Sequence, residues 1–344
     1  MNRIVDAVQR AGVRPIVASP DPPPTLAAKE DWIPLRTKSL RAVLHNWRQM
    51  RRVAAIGRRM GGTVFIDLYL DKNAWAAGAL TSFGRRVHVL HHSGQYTTRR
   101  GWAGIRTTIL RRHLRQITEG GAKVLVHTRR AAATIEDAVG TANVEIVGYP
   151  VLTSPTRSDR PHHGRPNLLF VGAGRRDKGL DLLIDALPLI QGRVALRVVG
   201  AQPNGVRRIL DPGNSPSIIW IDRRVTDEEL RDEYENASLA ILPYRQSFGE
   251  EGGASGVLLE VLGYGRPIVT TPALRSQLPP DGRGAEVAES DDPSDLARAI
   301  DLALQRLDDL SREAAEVGPA FIAENHTYDR YVEALAAAAN SVLP

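Results

Sequence analysis

The segment Glu250–Thr271, EEGGASGVLLEVLGYGRPIVTT, contains the residues whose types and spacing indicate chemistry most clearly. Ser255 followed by Gly256 is typical of a helix start, because serine caps backbone N–H groups and glycine lets a ligand approach closely. The positive end of a helix dipole favours an anion, and a diphosphate is a natural guest. Glu260 follows Gly256 by about one helical turn, where its carboxylate can accept hydrogen bonds from a ribose diol. The spacing predicts a phosphate-and-sugar site.

A simpler interpretation of the same residues stays open. Gly252, Gly253 and Gly256 would then only permit a tight turn, and Glu260 would be a carboxylate stabilised by the positive end of a helix. Because short motifs have a high false-positive rate, the rest of the chain must decide between the two interpretations.

Length and composition describe a soluble globular protein. The 344 residues, 42% of them hydrophobic and 24% charged, are enough for two domains that each bury a core. No apolar run approaches the ~18 residues that a membrane span requires. The N-terminus lacks a signal-peptide pattern and the chain has no cysteine, so the sequence predicts a cytoplasmic protein without disulfides.

The positive charge is concentrated in the first half. Residues 1–150 carry 24 Lys and Arg against 10 Asp and Glu, although the whole chain has a net charge of only +6. Much of this charge lies in two stretches with helical character, Leu44–Met60 and Arg99–Arg115, where tryptophan, isoleucine and leucine interleave with arginine. Such helices are typical of contact with an anionic membrane surface. The alternative is a solvated helix face with its apolar residues packed inward, and no nucleic-acid-binding motif is present.

Short apolar runs alternate with longer amphipathic segments throughout the chain. This order predicts an α/β fold with parallel sheets and crossover helices in both halves. The predicted strands of the first half are 14–18, 63–70, 87–91, 123–127 and 144–147, with helices at 73–81 and 130–139. The predicted elements of the second half are strands 168–171, 194–199, 217–220, 239–242 and 267–271 and helices 179–188, 204–210, 227–236, 256–262, 295–311 and 328–342. Residues 149–166, rich in proline, serine and charge, are the predicted linker.

Several segments of the second half resemble a known family in the same order. They are Leu169–Ala186 (LFVGAGRRDKGLDLLIDA), Ile218–Leu230 (IIWIDRRVTDEEL), Ala240–Gln246 (AILPYRQ) and the glycine-rich segment above. Over about residues 120–335 the chain resembles retaining GT-B glycosyltransferases of the family 4 kind, called glycosyl transferases group 1.

The resemblance implies a GT-B fold, with two Rossmann-like, doubly wound parallel-sheet domains that face a cleft. The expected domains are an acceptor-side domain at 1–148 and a nucleotide-sugar donor domain at 167–320. A C-terminal helix at 321–344 would cross back to the first domain. The family opens with a strand and a glycine-rich turn, whereas this chain starts inside what resembles the first helix, at Asn2–Ala11, so the first strand is expected to be missing.

The resemblance also assigns roles in holding the donor. Lys178 matches the family lysine that contacts the diphosphate. Ala173 replaces the family arginine, so Arg175 or Arg176 would substitute for it, aided by the helix start at Ser255 and Gly256. Arg223 and Arg224 are candidate contacts to the base or the phosphates, although Thr226 and Glu229 also fit a simple helix capping box. Glu260 would bind the ribose.

The resemblance also implies which residues lie near the transferred sugar. The first glutamate of the family pair falls on Gly252. Either Glu250 or Glu251 would therefore act from a shifted loop, or the backbone amides of Gly252, Gly253 and Ala254 would replace the carboxylate. His91 or His92, at the end of the segment Val87–Ser93, corresponds to a family histidine near the sugar and the acceptor.

The sequence therefore predicts a retaining transferase that moves a hexose from a UDP- or GDP-linked sugar to a hydroxyl acceptor. The acceptor would be a carbohydrate or a lipid-linked glycan of cell-envelope or exopolysaccharide synthesis. No cofactor and no metal ion is expected, and the protein would lie in the cytoplasm or on the inner face of the plasma membrane. A catalytically silent GT-B partner and a basic membrane-binding protein are the alternative functions.

Overall fold

A computed structural model describes the chain over two compact units. The described residues are 9, 17–19, 32–34, 40–60, 64–67, 87–91, 108, 111–112, 114–116, 118–119, 123–139, 144–151, 165–202, 206–211 and 217–340. The first unit consists of Met1–Pro150, Glu251–Ala254 and Tyr328–Pro344, and the second of Val151–Glu250 and Ser255–Thr327.

The second unit is built on a six-stranded parallel sheet. Its strands are β7 (Asn167–Val171), β8 (Ala195–Val199), β9 (Ile218–Ile221), β10 (Leu239–Leu242), β11 (Ile268–Thr270) and β12 (Ala285–Val287). The strand order is β12-β11-β10-β7-β8-β9, and every neighbouring pair is parallel. The central strands are almost continuously apolar and buried, which is characteristic of a sheet covered by helices on both faces.

Helices connect and cover these strands. They are α3 (Leu180–Ala186), α4 (Val206–Leu210), α5 (Asp227–Asn236), α6 (Gln246–Glu251), α7 (Gly256–Gly263), α8 (Pro293–Gln305) and α9 (Leu307–Asn325). The main core lies between the sheet and helices α3, α8 and α9, where Phe170, Leu183 and Ile300 are completely buried. Helix α6 carries Glu251 as its last residue, at the point where the chain enters the first unit.

The predicted elements of the second half are largely confirmed, with three differences. Helix α6 occupies part of the segment that we expected to be a loop. Strand β12 was not predicted, because Ala285–Val287 is too short to show periodicity. The expected single helix at 295–311 is instead α8 followed by α9, which are separated at Arg306, a residue with a non-helical backbone.

The first unit contains a four-stranded parallel sheet of β3 (Val64–Asp67), β4 (Val87–His91), β5 (Val124–Val126) and β6 (Val144–Ile146), in that order. Strands β1 (Val17–Ser19) and β2 (Trp32–Pro34) form a separate parallel pair. The described helices of this unit with assigned bounds are α1 (Leu40–Met60), α2 (Arg129–Val139) and α10 (Tyr328–Asn340).

The last helix, α10, packs in the first unit, as the predicted fold class requires. Tyr331, Leu335 and Ala338 recur at helical spacing on one buried face of α10. They form a core cluster with Leu125 of β5 and with Val147. The C-terminal segment is therefore structurally part of the first unit although it follows the second in sequence.

Some predicted elements lie outside the described residues. These are the helix at 73–81, most of the helix at 2–11 and the centre of the linker, residues 152–164. No helix in the described ranges is both long and apolar enough to cross a membrane.

Candidate functional site

The carboxyl ends of β7 and β10 define the candidate site in the second unit. These strands are neighbours in the sheet, but the chain order reverses between them, since β8 and β9 lie on one side and β11 and β12 on the other. In open parallel sheets, ligands bind at the carboxyl ends of the strands at such a switch point. Two loops form this edge, Gly172–Gly179 after β7 and Pro243–Arg245 after β10.

The first loop carries the basic residues. Arg175 donates from Nε to Asp177 Oδ1 at 2.9 Å and forms an ion pair with the other carboxylate oxygen. Arg176 is exposed and begins the 3-10 turn Arg176–Lys178. Asp177 thus engages Arg175 rather than Lys178.

A glycine lets the two loops meet. Gly179 has φ +68°, and a Cβ atom at this position would lie 1.8 Å from the carbonyl oxygen of Pro243. The Arg245 backbone N–H donates to the Asp177 carbonyl at 3.0 Å, and the Arg245 guanidinium lies 2.7 Å from Asp181. The basic loop is therefore held against the start of the β10–α6 connection.

Lys178 lies over two aromatic rings. Its Nζ is 3.8 Å from the ring centroid of Tyr244 and 4.5 Å from that of Phe248. The two rings are almost perpendicular, with centroids 4.7 Å apart, and both are buried. Lys178 forms no ion pair among the residues that the structure describes.

Burial and the charge of Arg175 lower the pKa of Lys178 to about 7, opposed by the weaker attraction of Asp177. A lowering from 10.5 to about 7 means that, relative to water, the folded protein favours the neutral amine over the ammonium by roughly 5 kcal/mol. The ring faces attract the ammonium form by roughly 0.5–2 kcal/mol. Desolvation is the larger effect, so the amine is poised between its neutral and charged forms near pH 7.

Helix α7 begins at Gly256, as the sequence predicted. Ser255 is the N-cap, with its hydroxyl accepting from the Leu258 N–H at 3.3 Å and donating to the Tyr244 hydroxyl at 2.9 Å. The Ser255 N–H itself donates to Gln277 Oε1 at 2.9 Å. Burial raises the pKa of Tyr244, which keeps the phenol protonated. Tyr244 thus lies between the lysine and the helix start, contacting both.

Glu260 lies one turn into helix α7. Its Oε2 accepts a hydrogen bond from the Tyr234 hydroxyl at 2.9 Å. Tyr234 is buried and stacks on Tyr264 with ring centroids 5.1 Å apart. Burial and the charge of Glu260 raise the pKa of Tyr234, so the phenol remains a donor that fixes the carboxylate.

Arg223 and Arg224 follow strand β9 at the same edge of the sheet, two strands from β7, and both are exposed. The Arg223 guanidinium pairs with Glu229 at 2.6 Å. Glu229 also completes the capping box with Thr226, which confirms the structural interpretation of that motif. The role of either arginine toward a ligand stays a prediction.

The Gly252 loop belongs to the first unit. Gly252 has φ +69°, and its carbonyl accepts from the Thr128 hydroxyl. A Cβ atom at Gly252 would lie 2.8 Å from the Ala131 backbone nitrogen at the start of α2. A glutamate, which the family pattern places here, would not fit without displacing backbone, and this gives the departure from the pattern a physical reason.

Four of the remaining candidates flank Gly252, and the other two are His91 and His92. Glu250 is exposed in helix α6, and Glu251 ends that helix, but its side chain lies outside the described residues, as does that of His91 at the end of β4. His92 is outside them entirely. Gly253 is buried and Ala254 half-buried in the first unit. No cluster of three or more possible metal ligands occurs among the described residues.

Sequence reasoning missed Tyr244 and Phe248 as parts of the site. The position of Tyr244 could have indicated it, because Tyr244 follows the end of strand β10 by two residues. The apolar pattern of the sequence predicts this buried strand correctly. Phe248 had no such signal, because it lies on the short helix α6, whose sequence is typical of a loop.

Comparison with solved structures identifies the fold. A sucrose-phosphate synthase from Thermosynechococcus elongatus superposes with a TM-score of 0.73 at 16% identity, covering 99% of this chain and 92% of that one. A glycosyltransferase from Rickettsia africae ESF-5 gives 0.72 at 15% identity, covering 99% and 93%. HepE from Anabaena in complex with UDP and glucose gives 0.72 at 13% identity, covering 98% and 95%. The chain has the GT-B fold of glycosyltransferases.

Sequence comparison points to the same class of protein. Residues 165–306 match the family model described as "Glycosyl transferases group 1". The chain is also 31% identical over 192 residues to the D-inositol 3-phosphate glycosyltransferase of Geodermatophilus obscurus. The match covers 51% of this chain and 41% of that relative, so the chain spans less than half of the relative's length.

Proposed function

We propose that the protein is a glycosyltransferase that uses a nucleoside-diphosphate sugar as donor. The observation that carries this proposal is the position of Lys178, an unpaired amine among the described residues, at the switch point of the family-matching unit. Arg176, exposed on the same loop, adds a second positive charge. A nucleoside diphosphate leaving group develops negative charge during sugar transfer, and such groups stabilise it.

The roles of the other residues follow from their positions. The start of helix α7 offers the positive end of a helix dipole near Lys178. Glu260, which accepts a hydrogen bond from Tyr234, would accept further hydrogen bonds from the ribose. Arg223 and Arg224 would contact the base or the phosphates. The reaction we propose needs no metal ion, since these cationic groups neutralise the diphosphate.

The contact to the transferred sugar must differ from that in an enzyme that carries both glutamates of the family pair. Gly252 has no side chain and no room for one. We infer that Glu250, Glu251 or the backbone amides of Gly252, Gly253 and Ala254 take this role, with His91 or His92 near the acceptor. Retention of the anomeric configuration and a lipid-linked hexose acceptor of envelope glycans are parts of the same proposal.

Thermal stabilisation tests the donor site directly. The purified protein would be melted with UDP, GDP and ADP and with their hexose conjugates, because a ligand of the native state raises the melting temperature by mass action. UDP is the first probe, since one structural relative was solved with it. We expect a shift with one nucleotide series; no shift with any would contradict the proposal.

A catalytically silent GT-B partner protein would bind a nucleotide without turning it over. Release of the nucleoside diphosphate from its hexose conjugate, with water or a glycan acceptor, separates the two cases. We expect slow release with water alone and faster release with an acceptor. Binding without release under either condition would favour the silent protein.

We also propose that helix α1 binds an anionic membrane surface. The helix Leu40–Met60 contains no acidic residue, and its arginines Arg48, Arg51, Arg52 and Arg59 are exposed. Trp47 is exposed beside them, with the Arg51 guanidinium 4.8 Å from its ring centroid, whereas Asn46 and Met50 are buried on the opposite face. Exposed arginine together with tryptophan favours the interface of an anionic bilayer.

Liposome sedimentation tests this second proposal. We expect binding to vesicles that contain an anionic phospholipid, no binding to neutral vesicles, and a steep loss of binding as salt is raised. Equal binding to both kinds of vesicle, or to neither, would contradict it.

A further inference from the structure

The contact of Lys178 with two buried rings points to a function of the rings themselves. We propose that Tyr244 and Phe248 form an aromatic cage that positions the Lys178 amine, and that this amine takes up one proton when the donor diphosphate binds. The second half of this inference rests on the proposed function, whereas the cage can be tested without any ligand.

The cage is held in place from several directions. The Tyr244 hydroxyl accepts from Ser255 at 2.9 Å, and the Tyr244 carbonyl accepts from the Thr271 hydroxyl. Phe248 packs edge-on against Tyr244 and is only 6% exposed. The rings are therefore fixed before a ligand arrives, and the lysine stem has one ordered surface on which to lie.

The charges around the amine explain why a proton would move. Arg175 and Asp177 lie on the same loop as Lys178, and the Tyr244 phenol, itself neutral, faces it from the β10–α6 connection. Arg175 disfavours the ammonium, and the carboxylate of Asp177 already engages Arg175. A bound diphosphate adds negative charge close to the amine, so it favours the ammonium form of Lys178.

The chemical step is a simple protonation. The lone pair of Lys178 Nζ accepts a proton from water or buffer, no covalent bond of the ligand changes, and the positive charge gained offsets one negative charge of the diphosphate. An opposite charge within ~4–6 Å typically favours the charged form by about 1–3 pH units. We therefore expect the titration midpoint of the amine to rise by that amount in the complex.

Lysine-selective labelling makes this measurable, because the chain has few lysines: Lys29, Lys38, Lys72, Lys123 and Lys178. In protein labelled with ¹³C at the lysine ε-carbon, each ε-methylene gives its own proton–carbon signal. We expect the Lys178 signal at high field, because its protons lie over ring faces, and a titration near pH 7. Lys123, which pairs with Glu145 at 2.6 Å, is the internal control. The Lys178→Arg variant assigns the signal by its disappearance.

Variants separate the ring from the hydroxyl. Tyr244→Phe keeps the ring face and loses only the bond to Ser255, so the high-field shift should remain. Tyr244→Leu and Phe248→Leu should each move the Lys178 signal toward that of Lys123, while the other lysine signals stay unchanged and report an intact fold. Each should also lower the Lys178 titration midpoint, because the lost ring face no longer attracts the ammonium while the surroundings stay apolar. A Lys178 signal in the unchanged protein that coincides with ordinary lysines would overturn the cage.

Nucleotide addition tests the second half. We expect UDP or GDP to raise the Lys178 titration midpoint. Calorimetry in two buffers of different ionisation enthalpy should then show uptake of about 0.4–0.9 proton at pH 8, the range that a rise of about 1–3 pH units from about 7 produces. If a nucleotide binds but the Lys178 titration does not change, proton uptake is wrong and the proposed function stands. If the cage signals are present but no nucleotide binds, the proposed function and proton uptake fail together and the cage stands.

Discussion

The two positively charged regions, the loop Gly172–Gly179 in the second unit and helix α1 in the first, use charge in opposite ways. Helix α1 exposes several arginines on one face with no acidic residue in the helix. The loop pairs Arg175 with Asp177 and holds the half-buried Lys178 over two aromatic rings. The first arrangement suits a broad, solvated anionic surface, whereas the second suits one anion at a defined position.

The difference teaches that net charge alone does not locate a binding site. The first unit carries most of the positive charge of the chain, yet the strongest electrostatic perturbation among the described basic residues is at Lys178 in the acidic half. Burial strengthens the electrostatic interactions of a single charge, whereas water and salt weaken the interactions of many exposed charges.

Removal of the buried charge should have the largest effect on activity. Lys178→Ala should lower turnover of the donor sugar by about 10²–10³-fold, the range found when one preorganised donor to a developing anion is lost. Release of the nucleoside diphosphate is the measurement. Lys123→Ala, which removes a half-buried, ion-paired lysine of the first unit, is the control and should retain full turnover. Equal turnover in both variants would mean that the lysine at the aromatic rings has no special role.

The geometry of the loop should matter as much as its charge. Gly179→Ala combines a left-handed backbone, which costs an L-residue roughly 1–2 kcal/mol, with overpacking against Pro243 that adds about 1–3 kcal/mol. Gly282 has nearly the same φ, +67°, but a Cβ atom there would meet nothing within 4 Å. Gly282→Ala should therefore cost only the backbone strain. Urea unfolding of both variants gives the comparison, and equal losses would mean that the close approach to Pro243 has no energetic weight.

The buried amine should make stability depend on pH. Because the pKa of Lys178 is lowered from 10.5 to about 7 in the folded state, the unfolded chain binds more protons between these values. Stability of the wild type relative to Lys178→Met should therefore rise from pH 7 toward pH 10, by up to about 1.4 kcal/mol per pH unit. Below pH 7 the difference should be constant. A flat difference over the whole range would show that Lys178 titrates like an exposed lysine.

Exposed charge on helix α1 should give the smallest effect per residue. Replacing Arg48, Arg51, Arg52 and Arg59 together by Gln should weaken liposome binding by about 1 kcal/mol per arginine, without changing stabilisation by nucleotide. The matched control replaces four exposed, carboxylate-paired arginines of the second unit, Arg283, Arg298, Arg306 and Arg312. Comparable loss of liposome binding in the control would mean that net charge, and not the helix face, is recognised.

Local signals made much of the second unit predictable. The N-cap at Ser255 and the capping box at Thr226 depend on residues close in sequence, and both are present in the structure. Buried strands such as β10 were recognisable as short apolar runs. Helix α6 was missed, because its acidic and glycine-containing sequence has no hydrophobic periodicity.

Long-range packing was beyond prediction from the sequence. Lys178 meets Tyr244 because β7 and β10 are adjacent in the sheet, a pairing between segments far apart in the chain. Gly252 likewise lies close to Ala131, a residue far away in the chain, and no local pattern predicts this contact. The identity of the basic loop was thus predictable, while its aromatic environment and the restriction at Gly252 required the fold.

We propose that Lys178 recognises the diphosphate of the donor. Calorimetric binding of UDP and UMP, or of GDP and GMP, to the wild type and to Lys178→Ala tests it most directly. A charged hydrogen bond is worth roughly 1.5–3 kcal/mol, so we predict that the wild type binds the diphosphate at least about tenfold more tightly than the monophosphate and that Lys178→Ala loses this preference. Equal affinity for the two nucleotides in the wild type, or an unchanged preference in the variant, would contradict the account.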